Sequence, residues 1–412
     1  MSRKERDQSK VFDRLKRKEL GQKEAAEALS MSSRQVRNKF SRYLAEGDEG
    51  LVHRSRGRPS SRRWDPAQRA KALEIVFEKY HDFGPTFASE KLAEKHKIKI
   101  SPETLRKAMI DHGLWSKTRK HKSHRKKRER MPSEGMMVQL DGSYHKWFED
   151  RGPECALLVF VDDATCKIQR LEFVDSESTK SIMSSMKKYL EKHGRPVSFY
   201  VDHHAVYSVN LNNPEKEKTT QVGRALKQLG INLILAHSPQ AKGRVERMNA
   251  TLQDRLVKEL RLENISTMDE ANEFVEKCFI PNFNEKFEKK PKDNLNLHRS
   301  VEGYDLNEIF SVQDQRTLQN DYTIRYNNRC LQLEKGQPAV IRPKHKIAVH
   351  EHLNGSLSLK VRGFNLNFKE IKNALANRKP SPVEHVWKEF KCARLDEKIQ
   401  PSRRPQTTSP GA

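Results

Sequence analysis

Between residues 135 and 262 the hydrophobic pattern switches period in an order that few folds accept. Apolar or alternating runs at 136–140, 156–161 and 168–173 read as three strands of a meander, the last two joined by the turn Asp162-Asp163-Ala164-Thr165. Ile182, Met183, Met186, Tyr189 and Leu190 then fall on one face of a helix, which Gly194-Arg195-Pro196 stops. A strand at 197–201, a helix around Val222, Ala225, Leu226 and Leu229, a strand at 231–235 and a long helix from 243 to about 262 complete the series. The order is β-β-β-α-β-α-β-α. It predicts a mixed five-stranded sheet with the first and fourth strands side by side at its centre.

Three acids fall at informative points of that frame. Asp141 follows the first apolar run, Asp202 follows the fourth strand, and Glu246 lies in the opening turns of the last helix. Along that helix Val245, Met248, Leu252 and Leu256 form the buried stripe, while Glu246, Asn249 and Gln253 share a neighbouring polar face. Carboxylates are costly to crowd unless a hard divalent cation offsets them, and Mg²⁺ is held by a few carboxylates plus substrate phosphates. Such a set suits two ions about 3.5–4 Å apart, one activating the attacking oxygen and one stabilising the leaving oxygen of an in-line displacement at phosphorus. Taken singly, each acid also reads as a turn Asp or a solvated helical Glu. Asp162 and Asp163 are read as structural turn residues that bond their own backbone.

Charge narrows the partner. The 412 residues carry 80 Lys+Arg against 55 Asp+Glu, a net +25, and an excess of that size calls for a polyanion. A membrane fits poorly, because the longest apolar run, 156–161, is far short of the roughly 20 residues a span requires. The opening Met-Ser-Arg-Lys-Glu-Arg has no secretory pattern, so a cytoplasmic chain is expected. Cys155, Cys166, Cys278, Cys330 and Cys392 are scattered singly and read as reduced.

The remaining segments read as a multidomain α+β chain. Residues 1–53 have helical spacing at Phe12, Leu15, Ala25, Ala26, Leu29, Val36, Phe40, Tyr43 and Leu44. Ser30-Met31-Ser32-Ser33 interrupts them and caps a helix displaying Arg34, Gln35, Arg37 and Asn38, side chains suited to base edges and phosphates. A helix-turn-helix DNA-binding unit is expected, with a plain helical bundle as the alternative. Residues 54–65 form a basic linker whose Arg56 and Arg58 suit a minor groove, or simply solvent. A second helix-turn-helix unit at 66–115 includes the helix start Ser101-Pro102-Glu103-Thr104, and 116–134 is a second basic linker set to displace counterions from a phosphate backbone. The catalytic core is placed at 135–290, its last helix running from 268 to about 290. Then come a linker at 291–317, a small β-barrel at 318–370 with a hairpin turn at Leu353-Asn354-Gly355-Ser356-Leu357, and a largely disordered tail at 371–412.

The element order of 135–262 is that of a ribonuclease H-like domain, and the local motifs carry a closer likeness. Leu-Asp-Gly-Ser at 140–143, Val-Asp-Asp-Ala-Thr at 161–165, and Ala-His-Ser-Pro-Gln-Ala-Lys-Gly-Arg-Val-Glu-Arg-Met-Asn-Ala-Thr-Leu-Gln at 236–253 resemble the integrase catalytic core of bacterial insertion-sequence transposases. The ISNCY type, within the retroviral integrase superfamily, is the nearest. The resemblance covers 135–290 well and the helix-turn-helix units more loosely. It implies a DDE mechanism in which water, then a freed 3′-hydroxyl, attacks a DNA phosphodiester with Mg²⁺ or Mn²⁺ and without a covalent enzyme intermediate. It further implies Asp141, Asp202 and Glu246 as metal ligands, and Lys242, Arg244 and Arg247 as a grip on DNA near the cleaved phosphate. Double-stranded DNA, both transposon ends and target, is the implied partner, handled by a homodimer or higher oligomer. The chain departs from the pattern after Asp202, where His203-His204 replaces Asn-Gly and reads as two exposed turn residues. A polar insertion at 212–218 reads as a surface loop, and no His-His-Cys-Cys zinc module is visible. Two rivals stay open at this point: a DNA-binding regulator that kept only the helical modules, and a nuclease that only hydrolyses.

Overall fold

The computed structural model describes residues 1–53, 55–57, 64–116, 128–208, 219–236 and 243–371. They fall in two compact units that divide between residues 123 and 124. In the first unit, helices α1 (Arg3–Lys16), α2 (Gln22–Ala28) and α3 (Ser33–Glu46) pack Phe12, Ala25, Val36 and Leu51 together. Ser32 caps α3 as its spacing suggested: the Gln35 amide donates to Ser32 Oγ, and Ser32's own amide donates to Gln35 Oε1. Helices α4 (Pro66–Lys79), α5 (Pro85–His96) and α6 (Pro102–Asp111) each open on a proline, at the position where a helix has an N–H to spare.

In the second unit β1 (Val138–His145), β2 (Cys155–Asp162), β3 (Ile168–Val174), β4 (Ser198–Val201) and β5 (Asn232–Leu235) form one sheet in the order β3-β2-β1-β4-β5. β1 runs parallel to β4 and antiparallel to β2, so the predicted mixed sheet and its central pair are present. Helices α7 (Thr179–His193) and α8 (Gln221–Gln228) cover one face, and α9 (Gly243–Leu262), α10 (Met268–Phe274) and α11 (Ile280–Phe287) cover the other. A π-helical turn, Val275–Phe279, joins α10 to α11, which makes the expected helix from 268 one helical path ending at Phe287.

Side-chain alternation sorts β1 between the two faces. Val138 and Leu140 enter the core under α7 and α8, while Gln139, Asp141 and Ser143 point to α9. β2 is buried along its whole length, as expected of a strand covered on both sides.

The C-terminal part differs from the expected barrel. After α12 (Leu306–Ile309), strands β6 (Val312–Thr317), β9 (Lys346–Glu351), β10 (Leu357–Val361) and β11 (Phe364–Leu366) form one sheet. β7 (Thr323–Tyr326), β8 (Arg329–Leu333) and β12 (Phe368–Ile371) form a second. The two share a core of Ile324, Leu331, Ile347, Val349 and Leu359, but among the described residues they do not close into one barrel. One residue after β11 the chain crosses at Asn367 and pairs β12 with β8 in the second sheet. β6 also begins inside the stretch read as a linker, and earlier residues of that stretch are stitched to the core through the bridges Glu134–Asn296 and Arg195–Arg299. Cys155, Cys166, Cys278 and Cys330 are free, whereas Cys392 and nearly all of the expected tail lie outside the described residues. No helix among the described residues is long and apolar enough to cross a membrane.

Candidate active site

The parallel register of β1 and β4 pairs Val138 with Phe199 and Gln139 with Tyr200. Asp141 lies two residues beyond the last paired residue of β1, and Asp202 two residues beyond its partner Tyr200. β4 ends at Val201, but β1 continues to His145 against β2, so Asp141 lies inside its strand rather than at the end, as the apolar run had suggested. The two acids stand where the central strands part. Asp202 Oδ1 accepts the His204 amide at 3.2 Å, turning the chain away from the sheet, and His203 and His204 are exposed there.

α9 runs along the same row of β1. Val245 N donates to Gln139 Oε1 at 3.2 Å, Asn249 Nδ2 to Asp141 Oδ2 at 2.7 Å, and Gln253 Nε2 to Ser143 Oγ at 3.2 Å. Four residues of helix rise about 6 Å and two residues of strand about 6.6 Å, so each step on one element keeps pace with the other. Glu246 stands one turn before Asn249 on that side of the helix, exposed. Like charges gain nothing by closing on one another. Accordingly, among the described residues no three His, Cys, Asp or Glu side chains stand together as a ready set of metal ligands.

Two polar atoms beside Asp141 and Asp202 are buried without a hydrogen-bond partner, Asn249 Oδ1 and the Tyr207 hydroxyl. Burial, then the charges of Glu177, Asp202 and Asp141, push the Tyr207 phenol well above its ordinary range, so it stays a donor. Glu177, which no pattern in the sequence signals, also lies beside Asp141. Its carboxylate occupies the space a Cβ would need at Gly142, next to Asp141, and its amide donates to Tyr144 Oη at 3.0 Å. Oxygen-only donors with orphaned polar atoms at their edge fit a hydrated hard cation such as Mg²⁺.

The other predicted contacts are placed as follows. Arg34, Gln35, Arg37 and Asn38 are exposed on α3, with Gln35 Oε1 engaged in the cap. Arg56 makes a two-bond pair with Glu5, at 2.8 and 2.5 Å, and holds that carboxyl down to about 2. Arg247 is exposed and donates to its own helix at Gly243 O, 2.7 Å. Arg58 and Lys242 lie outside the described residues. Arg244 departs from expectation: its Nη1 donates to Asp163 Oδ1 at 2.5 Å and its Nη2 to the Arg128 carbonyl at 2.6 Å, with the side chain only 14% exposed. Asp162 plays the turn role assigned to it, accepting from Thr165 N and Oγ1 at 2.8 and 2.7 Å and from Gly135 N at 2.9 Å. Burial raises its pKa. Asp163 instead binds groups distant in sequence.

The mixed sheet thus carries two acids where its central strands part and a third on the covering helix. Comparison with known proteins gives the class. Residues 35–109 match the family described as a Homeodomain-like domain. Over 348 residues the chain is 40% identical to "Putative transposase y4bF" of Sinorhizobium fredii (strain NBRC 101917 / NGR234), covering 84% of this chain and 76% of that protein. It is 29% identical over 393 residues to the transposase for insertion sequence IS1202 of Streptococcus pneumoniae, covering 85% of this chain and 82% of that one. Among solved structures, the simian T-cell lymphotropic virus intasome in complex with PP2A regulatory subunit B56 gamma aligns over 72% of this chain and 97% of its own, at 14% identity and a TM-score of 0.33, too low to add to the argument from sheet order. The chain belongs to the insertion-sequence transposase family that includes y4bF, and it is a DNA transposase.

Proposed function

We propose that this transposase cuts and joins the ends of its insertion sequence with Asp141, Asp202 and Glu246 as the catalytic carboxylates. The observation that carries the reading is the register of β1 on β4 together with the Asn249 bond to Asp141, one helical turn from Glu246. The three acids would hold Mg²⁺ or Mn²⁺, two ions per site, which when bound offset the charge that develops on the attacking and leaving oxygens at phosphorus. Asn249 orients the Asp141 carboxylate through its amide, and Tyr207 supplies a buried hydroxyl donor beside the acids.

The helical modules at 1–53 and 66–115 bind double-stranded transposon ends, with Arg34, Gln35, Arg37 and Asn38 at the bases, Arg56 and Arg58 of the 54–65 linker in a minor groove, and the linker at 116–134 along the backbone. Lys242 and Arg247 flank Glu246 and face DNA near the cleaved phosphate. A homodimer or larger assembly brings two ends together for transfer to target DNA, in the cytoplasm on a bacterial nucleoid. Replacing Glu246 by Gln tests the assignment. Cleavage of a terminal duplex should be abolished while binding of that duplex holds, and full cleavage by the variant would overturn the site.

A further inference from the structure

Asp163 is fully buried, yet four donors from three separate segments end on its carboxylate. Arg128 donates through Nη2, Met131 through its amide at 2.9 Å, Gln139 through Nε2 at 2.5 Å, and Arg244 through Nη1 at 2.5 Å. A buried carboxylate is costly unless paired and hydrogen-bonded, and two guanidinium groups with two neutral donors meet that need.

Two of those bonds lead straight to the first turn of α9. Arg244 is its second residue. Gln139, with its Nε2 spent on Asp163, can only present Oε1 on its other side, where it accepts the Val245 amide at 3.2 Å. That amide is among the first N–H groups of the helix, which have no partner within it. The next residue is Glu246.

We propose that Asp163 is the positioning residue for Glu246: it locks the opening turn of α9 to the sheet, directly through Arg244 and indirectly through Gln139. Arg244 is then an internal strut rather than a grip on DNA, and its second bond, to the Arg128 carbonyl, ties the end of the basic linker to the same turn. The inference rests on Glu246 being catalytic.

The test uses the full chain, a terminal duplex and Mn²⁺, comparing Asp163→Asn, Arg244→Met, the double variant and Glu246→Gln. Asp163→Asn should lower kcat about a hundredfold, the scale at which misplacing a reacting group by an ångström is felt. KM for the duplex should move by no more than about twofold, since ground-state binding is untouched. Arg244→Met should behave alike, the double variant should be no worse than the poorer single one, and Arg244→Lys should recover part of the loss. Amide exchange should quicken at 243–249 and hold in α7. Should Asp163→Asn fail to fold, the Arg244 variants decide alone. A raised KM with kcat intact in Arg244→Met overturns the proposal, as do additive losses. An inactive Glu246→Gln beside a fully active Asp163→Asn overturns this inference alone, whereas an active Glu246→Gln removes the catalytic assignment beneath it.

Discussion

Asn249→Asp probes the site at its best-defined contact. In the native chain the amide of Asn249, only 9% exposed, donates to Asp141 Oδ2 at 2.7 Å. The substitution keeps the shape and exchanges that donor for a second carboxylate. Two unit charges about 4 Å apart interact by about 4 kcal/mol at an effective dielectric near 20, which corresponds to about three pH units of proton affinity. Asp141 is partly exposed, so screening should reduce the effect to about one or two units. The acids then titrate as a dyad that keeps one proton to higher pH. Because a raised carboxyl pKa extends the protonated form upward, cleavage that requires Asp141 ionised is lost at low pH and regained as pH rises. The acidic limb of the pH–rate profile should move up by that amount. Asn249→Ala removes the donor without adding charge and should slow cleavage while leaving the limb in place, a hydrogen bond to a charged group being worth about 1.5–3 kcal/mol. Initial cleavage rates of a terminal duplex in Mn²⁺, measured across the neutral range at fixed ionic strength, separate the two. Superimposable profiles for the Asp and Ala variants would refute the reasoning.

Gly142→Ala places a methyl where the Glu177 carboxylate sits, and the far end of that flexible side chain has to move. Stability should fall by less than about 1 kcal/mol, while Mn²⁺ affinity measured by calorimetry drops; an unchanged affinity would remove Glu177 from the site. His298, hydrogen-bonded to Tyr189 and Asn296, is lowered by burial from 6.5 to about 4. The unfolded chain takes up its proton below 6.5 and the folded one only near 4, so stability is complete above 6.5 and declines as pH falls through that window. The slope is at most about 1.4 kcal/mol per pH unit. Urea unfolding of His298→Gln should show a shallower decline than the native chain over the same range, and an identical slope would assign the pH dependence to other groups.

Much of this fold is written in local period. The boundaries of α9 follow from an apolar stripe that begins at Val245 and a glycine just before it, and the sheet order follows from the alternation of strand and helix lengths. What escapes is non-local. Asp-Gly-Ser-Tyr-His has neither the alternation nor the composition of a strand, yet β1 runs through it because β2 opposite is apolar from Cys155 to Val161 and holds the pairing to His145. Short alternating strands are legible between Asp321 and Phe368, but β6 lies in a stretch that reads as a linker, and the division of the described strands into two sheets rests on long-range pairing such as that of β12 with β8.

Charged side chains pose the same problem most sharply. From sequence, Arg244 and Arg247 are alike, two cations flanking Glu246. In the fold Arg247 faces out, while Arg244 is consumed by an aspartate 81 positions earlier. A net charge of +25 names the kind of partner. Which arginines meet it depends on the acids the fold buries beside them. The same logic gives Asn249 its role: its place on the polar face of α9 was readable, but its partner lies 108 residues away and is found only because helix and strand rise in step. On the proposed assignment, catalytic geometry in this chain is a property of pairing register, which makes the first turn of α9, where Arg244, Val245 and Glu246 follow one another, the point at which small packing changes should act most strongly on chemistry.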